Sequence, residues 1–107
     1  MAGKMRVLIA DDEERFVRSL AKVLRNRDME VLTALDGASA LALLSRSECD
    51  VVVLDLRMPG MDGLSVLAEL RKRRPLLPVI VLSGHLDVEN CRRACGGGAA
   101  EVLMKPC

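Results

Sequence analysis

Tryptophan and tyrosine are absent from this chain of 107 residues, and Phe16 is its only aromatic residue. Stacking of single-stranded bases relies on aromatic platforms, so direct nucleic-acid binding of that kind is excluded. Half the residues are nevertheless apolar, and a core must therefore be built from Leu, Val, Ile, Ala and Met. Histidine occurs once, at His85, which excludes a two-histidine metal site within the chain. No run approaches the roughly 18 apolar residues of a membrane span, and the N-terminus has no signal-peptide apolar region. The sequence thus reads as cytoplasmic, with no membrane partner. A net charge of +1, with acids and bases interspersed, gives no field favouring a polyanion. The basic run Arg71-Lys72-Arg73-Arg74 closes a predicted helix, where cations suit the dipole. Cys49, Cys91, Cys95 and Cys107 form neither a CxxC unit nor a zinc pattern, and are expected to be reduced, small buried hydrophobes.

The length suits one domain, residues 1–107, with a single core. Residues 5–10 (MRVLIA) read as a strand, followed by a helix to Arg27 with Phe16, Val17, Leu20, Val23 and Leu24 at helical spacing and acids at its start. A second strand, EVLTA at 30–34, leads through Asp36-Gly37 into an Ala/Leu-rich helix over 38–46. Residues 50–56 (DVVVLDL) form a continuous β-branched run, the pattern of a strand buried on both faces of a parallel sheet. The loop rich in Pro and Gly over 57–63 precedes a helix over 64–74, which Pro75 ends. Residues 78–82 (PVIVL) form the fourth strand and Ser83-Gly84-His85 the turn after it. A short helix capped by Asp87 runs to Cys95, where the glycine triplet stops it. The fifth strand spans 101–104. Strict alternation of strand and helix predicts a doubly wound α/β fold, a parallel sheet with helices on both faces.

Charged residues fall at the ends of these strands: Asp11 and Asp12 after the first, Asp55 after the third, Lys105 after the fifth. In an open parallel sheet such ends converge on one rim. Three carboxylates there repel one another unless a cation lies between them. Hard oxygen donors with few protein contacts suit Mg²⁺, with Mn²⁺ as an alternative. The bland alternative, that Asp11-Asp12-Glu13-Glu14 is only an acidic first helical turn, does not account for Asp55, which is costly to bury alone. A metal-neutralised Asp55 can attack a phosphoryl group and become an acyl phosphate. Lys105 can pair with that carboxylate or with phosphoryl oxygens, and Ser83 offers a hydroxyl.

The segments VLIADDEE, VVVLDLRMPGMDGL, PVIVLSGH and AAEVLMKP cover essentially the whole chain, and in them it resembles the receiver domain of two-component response regulators. That resemblance implies a flavodoxin-like sheet of order 2-1-3-4-5 with its switch point between strands 1 and 3. It implies Asp55 as phosphoacceptor and a sensor histidine kinase as donor. Asp12 would bind Mg²⁺ directly, Asp11 mostly through water, and the backbone carbonyl of Arg57 would complete the protein ligands. Ser83 and the backbone of Gly84 would contact the phosphoryl group, Lys105 would hold it, and Pro106 would shape the loop through a cis peptide. Arg57 and His85 would flank the pocket and influence the lifetime of the phosphate.

Two departures stand out. Receivers place Tyr or Phe three residues before the lysine as a rotamer switch working with the Ser83 position, and here Val102 occupies it. Receivers also carry a fifth helix after the Lys-Pro pair, whereas the chain stops at Cys107. Apolar side chains on strands 4 and 5 should then be exposed and favour a homodimer, a helix supplied by a partner, or a longer product with an output domain. An alternative reading is a degenerate receiver that binds partners without phosphorylation-driven switching. A phosphatase of the haloacid dehalogenase type would need a DxD after the first strand, which DDEE does not supply.

Overall fold

Nine elements alternate without exception in the computed structural model, which describes residues 3–58, 60–84 and 88–105. They are β1 (Arg6–Ala10), α1 (Glu14–Arg25), β2 (Glu30–Ala34), α2 (Gly37–Arg46), β3 (Val51–Asp55), α3 (Gly63–Arg73), β4 (Val79–Ser83), α4 (Val88–Gly96) and β5 (Glu101–Met104). All strand pairs are parallel, in the order β2-β1-β3-β4-β5. The expected sheet order is therefore found, and no helix follows β5 among the described residues. Pro59, His85, Asp87, Pro106 and Cys107, expected as loop, rim, cap, cis-peptide and buried-thiol residues, lie outside the described residues.

The continuous apolar runs are explained by two cores, one on each face of the sheet. Leu8, Ala10, Val52, Leu54, Val79 and Val81 point to the larger one, against Leu41 and Leu44 of α2, Val66, Leu67 and Leu70 of α3, and Ala94 of α4. Their strand neighbours Val7, Ile9, Val53 and Leu82 point the other way, where Val17 and Ala21 of α1 close a smaller cluster. Alternation along each strand thus sends successive residues to opposite buried faces. Because α1, which follows β1, covers one face and α3, which follows β3, covers the other, the chain leaves these two neighbouring strands on opposite sides and opens a crevice above them. On the α1 face Leu103 of β5 is 47% exposed, and the adjacent Met104 is 56% exposed.

Helix ends differ from the expected bounds by one or two residues, for local reasons. α1 stops at Arg25 rather than Arg27 because Asp28 takes a left-handed φ of 64°, letting the Met29 N–H donate to Leu24 O at 3.1 Å. α2 and α3 are both opened by an Asp-Gly-x-Ser sequence. Asp36 accepts from the Ser39 N–H at 2.7 Å and Asp62 from the Ser65 N–H at 2.8 Å. These bonds hold both carboxyls below the usual carboxylate range. Gly63 is required by contact rather than by turn geometry: a Cβ there would lie 2.4 Å from Asp55 O and from Leu56 Cα. The start of α3 is thereby pressed against the end of β3, next to Asp55.

The cysteines correct one expectation. Cys49 is buried, and burial pushes its thiol up from the ordinary range, but Cys91 is half-buried and Cys95 exposed. Ala94, fully buried, is the α4 residue that meets the core, so the next position along the helix faces outward.

Candidate functional site

Asp11 directly follows β1, and its backbone N–H continues the ladder to Ala34 O at 3.0 Å. That bond turns the side chain into the crevice, where it is fully buried. Its Oδ1 accepts from the Glu13 N–H at 2.9 Å, turning the chain into α1. Asp55 is the last residue of β3 and only 3% exposed, fixed by register against Leu82 and by the Leu56 N–H to Leu82 O bond of 3.1 Å. Asp12 is exposed at the mouth. Carboxylate oxygens of Asp11, Asp12 and Asp55 all lie within 4.8 Å of one another.

Lys105 reaches this cluster from the end of β5, where its N–H donates to Ser83 O at 2.8 Å. Its Nζ is 2.9 Å from Asp11 Oδ2 and 3.6 Å from Asp55 Oδ2, also donates to Glu13 Oε1, and sits 5.0 Å from the centroid of the Phe16 ring. Burial works against the ammonium charge, but the bonds to Glu13 and Asp11 and the charges of Asp55 and Asp11 outweigh it and hold Lys105 protonated. Asp55 is under the opposite pressure. Burial, then the Asp11 charge, push its carboxyl up to about 6, against the pull of Lys105 and the Arg57 N–H, with Asp12 adding a smaller push. Ser83 closes the floor from the end of β4, almost fully buried, its hydroxyl donating to Gly84 O at 3.1 Å. Beside the cluster a groove of about 710 Å³ runs between the β3–α3 loop and α4, lined by Asp12, Arg57, Met58, Asp62, Asn90 and Arg93 among others.

The carboxylate cluster, Ser83, Gly84 and Lys105 therefore meet at one rim, as their strand-end positions implied. Glu13 and Phe16 have no place among the site residues expected from the sequence, yet both contact Lys105. Val102, by contrast, stands apart: half-buried in β5 opposite Val81, it packs on the larger core.

The donor set fits a divalent cation. Asp11 Oδ2 is buried and, apart from its ion pair with Lys105, receives no directed hydrogen bond. An acceptor left in that state is costly unless a cation takes up its lone pairs. Three closely spaced carboxylates, with Asp12 open to water, suit an ion that keeps several waters.

A parallel five-stranded sheet in this order, with a carboxylate triad at its switch point and a lysine facing it, defines a phosphoacceptor-type α/β domain. The response regulator receiver domain model matches residues 7–107, and the chain belongs to that family. It is 41% identical over 101 residues to the transcriptional regulatory protein PrrA of Mycobacterium tuberculosis, covering 94% of this chain and 43% of PrrA. To the DNA-binding transcriptional regulator NtrC of Escherichia coli it is 36% identical over 100 residues, covering 94% of this chain and 21% of NtrC. The receiver domain of the Francisella response regulator 1452 superposes with a TM-score of 0.88 at 34% identity, over 96% of this chain and 85% of that one. Vibrio cholerae chemotaxis protein CheY4 gives 0.91 at 28% identity, over 98% and 89%. The chain spans less than half the length of these two curated relatives.

Proposed function

We propose that the chain, as one receiver unit over residues 1–107, takes a phosphoryl group onto Asp55 from the phosphohistidine of a sensor kinase and returns it to water. The observation that carries this reading is the buried Asp55 carboxylate facing Asp11 and Lys105 across one crevice. An Asp55 oxygen attacks phosphorus, the bond from phosphorus to the imidazole nitrogen breaks, and the freed imidazole takes up a proton. Asp12 would hold Mg²⁺ (or Mn²⁺) directly, Asp11 chiefly through water, with Asp55 and the Arg57 carbonyl completing the protein donors. Bound there, the ion would supply positive charge that keeps Asp55 ionised and offsets charge on the phosphoryl oxygens. Lys105 takes one of those oxygens, while the Ser83 hydroxyl and the Gly84 backbone take another. The domain thus catalyses its own modification and turns over no external metabolite.

Among the described residues no helix is long and apolar enough to cross a membrane, which agrees with a cytoplasmic role beside a kinase. Both curated relatives named above are transcriptional regulators much longer than this chain. Output runs through a downstream protein or attached domain rather than DNA contact by the receiver itself, in keeping with a single aromatic residue and a net charge of only +1. Leu103, exposed on the α1 face of β5, is the apolar residue through which two copies would pair at the β4–β5 face. Val102 supports a second reading, a receiver that binds partners without phosphorylation-driven switching, because an aliphatic side chain packed in the core has no inward and outward rotamer pair.

Incubation with acetyl phosphate and Mg²⁺, followed by borohydride trapping and peptide mass spectrometry, tests the first reading. Modification at Asp55 is expected, lost on omission of the metal. An unmodified wild-type protein would leave the second reading standing.

A further inference from the structure

Resting on the phosphoacceptor reading above, we propose that Glu13 is a positioning residue that holds Lys105 in the unphosphorylated protein and is displaced from it by the phosphoryl group. Glu13 occupies the cap position of α1, where α2 and α3 have aspartates bonded to backbone N–H groups. Its own side chain caps nothing. That carboxylate instead accepts from Lys105 Nζ across a separation of 92 residues.

An ammonium has three N–H donors, and here they face three carboxylates and the Phe16 ring. The contacts are unequal. Asp11 is 2.9 Å away and its side chain fully buried, so parting from it would strand a buried charge. Asp55 is 3.6 Å away, farther than a hydrogen bond reaches, and is the atom group to be modified. Glu13 is 63% exposed, so water can solvate its carboxylate as soon as the lysine leaves. A phosphoryl group on Asp55 adds oxygens beyond the carboxylate and demands a donor from Lys105. The partner released at least cost is Glu13. Phe16 then serves as the surface beneath the lysine, attracting the ammonium whichever anion it faces. Glu13 therefore sets a threshold, because each phosphorylation event must first break its ion pair.

The consequence is opposite to that of an ordinary supporting residue: removing Glu13 should strengthen binding at the site. The test is isothermal titration of beryllofluoride, a phosphoryl mimic, with Mg²⁺ into wild type, Glu13→Gln, Glu14→Gln, Lys105→Ala and the double variant Glu13→Gln/Lys105→Ala. Exposed ion pairs of this kind correspond to about a two- to five-fold effect, so Glu13→Gln should bind about two- to five-fold more tightly than wild type. Glu14 pairs with Arg18, and the carboxylates paired with Lys105 are those of Asp11, Glu13 and Asp55. Glu14→Gln should leave affinity near wild type, separating release of Lys105 from a general loss of negative charge. In the Lys105→Ala background, Glu13→Gln should gain nothing. Equal or weaker binding by Glu13→Gln, the same gain in Glu14→Gln, or a gain that survives without Lys105 would overturn the role of Glu13 while leaving the phosphoacceptor reading intact. Failure of wild type to bind beryllofluoride would overturn both.

Discussion

The two ends of the sheet both carry charged side chains and use them in opposite ways. At the N-terminal end of β1, Arg6 is paired with Glu30 at 3.7 Å, its side chain reaches Glu48 O at 3.5 Å, and its backbone N–H is bonded to Asp50 at 2.8 Å. All of these groups are solvated, and such pairs contribute little. At the C-terminal end of β1 and β3, Asp11 and Asp55 are buried side by side with an imperfect share of one lysine. The first arrangement stabilises the fold slightly and has no other consequence. The second costs stability, and that cost marks where the chemistry lies.

Breaking the contrast at its most sensitive point means removing Lys105. Lys105→Met should lower unfolding free energy by about 2–4 kcal/mol in urea titrations without metal, because buried carboxylates lose their counter-charge at a rim that solvent still reaches. Millimolar Mg²⁺ should recover part of that loss.

Asp55→Asn should do the reverse. Its carboxyl titrates at about 6 in the fold, against about 3.9 when unfolded. Between those values the folded state binds more protons, so this group's contribution to stability is present at low pH and is lost as pH rises through about 4 to 6. The neutral amide should therefore raise stability at pH 7 without metal by about 1–2 kcal/mol, allowing for solvent screening. It should also flatten the wild-type pH profile between pH 4 and 7 and abolish the stabilisation that Mg²⁺ gives the wild type. Thermal unfolding at pH 5 and pH 7 checks all three.

At the opposite end the effects shrink. Asp50→Ala should cost about 1 kcal/mol, the value of one hydrogen bond to the Arg6 N–H. Glu30→Gln should stay within about 0.5 kcal/mol of wild type. A loss of several kcal/mol from either would erase the distinction between the two ends.

Much of the rim was legible because strand ends can be read from local pattern. The run DVVVLD announces a strand buried on both faces, and its last residue must then stand at the crevice. Asp11 and Asp12 follow β1 by the same logic, and Lys105 follows β5. Glu13 shows in the sequence only as part of an acidic helical turn, since nothing local distinguishes it from Glu14. Its partner lies at the far end of the chain and meets it only because β5 and the start of α1 share the rim. Phe16 shows only its helical spacing in the sequence for the same reason, and its place beneath Lys105 is not visible there. The early stop of α1 escaped prediction because Asp28, a residue that tolerates the left-handed region less readily than glycine, supplies the turn.

Calorimetric titration with beryllofluoride tests most directly whether Asp55 is a metal-dependent phosphoacceptor. Wild-type protein should bind it in the presence of Mg²⁺, lose binding when the ion is chelated, and show none as Asp55→Ala. Absence of Mg²⁺-dependent binding to the wild type, or binding that persists in Asp55→Ala, would contradict that role.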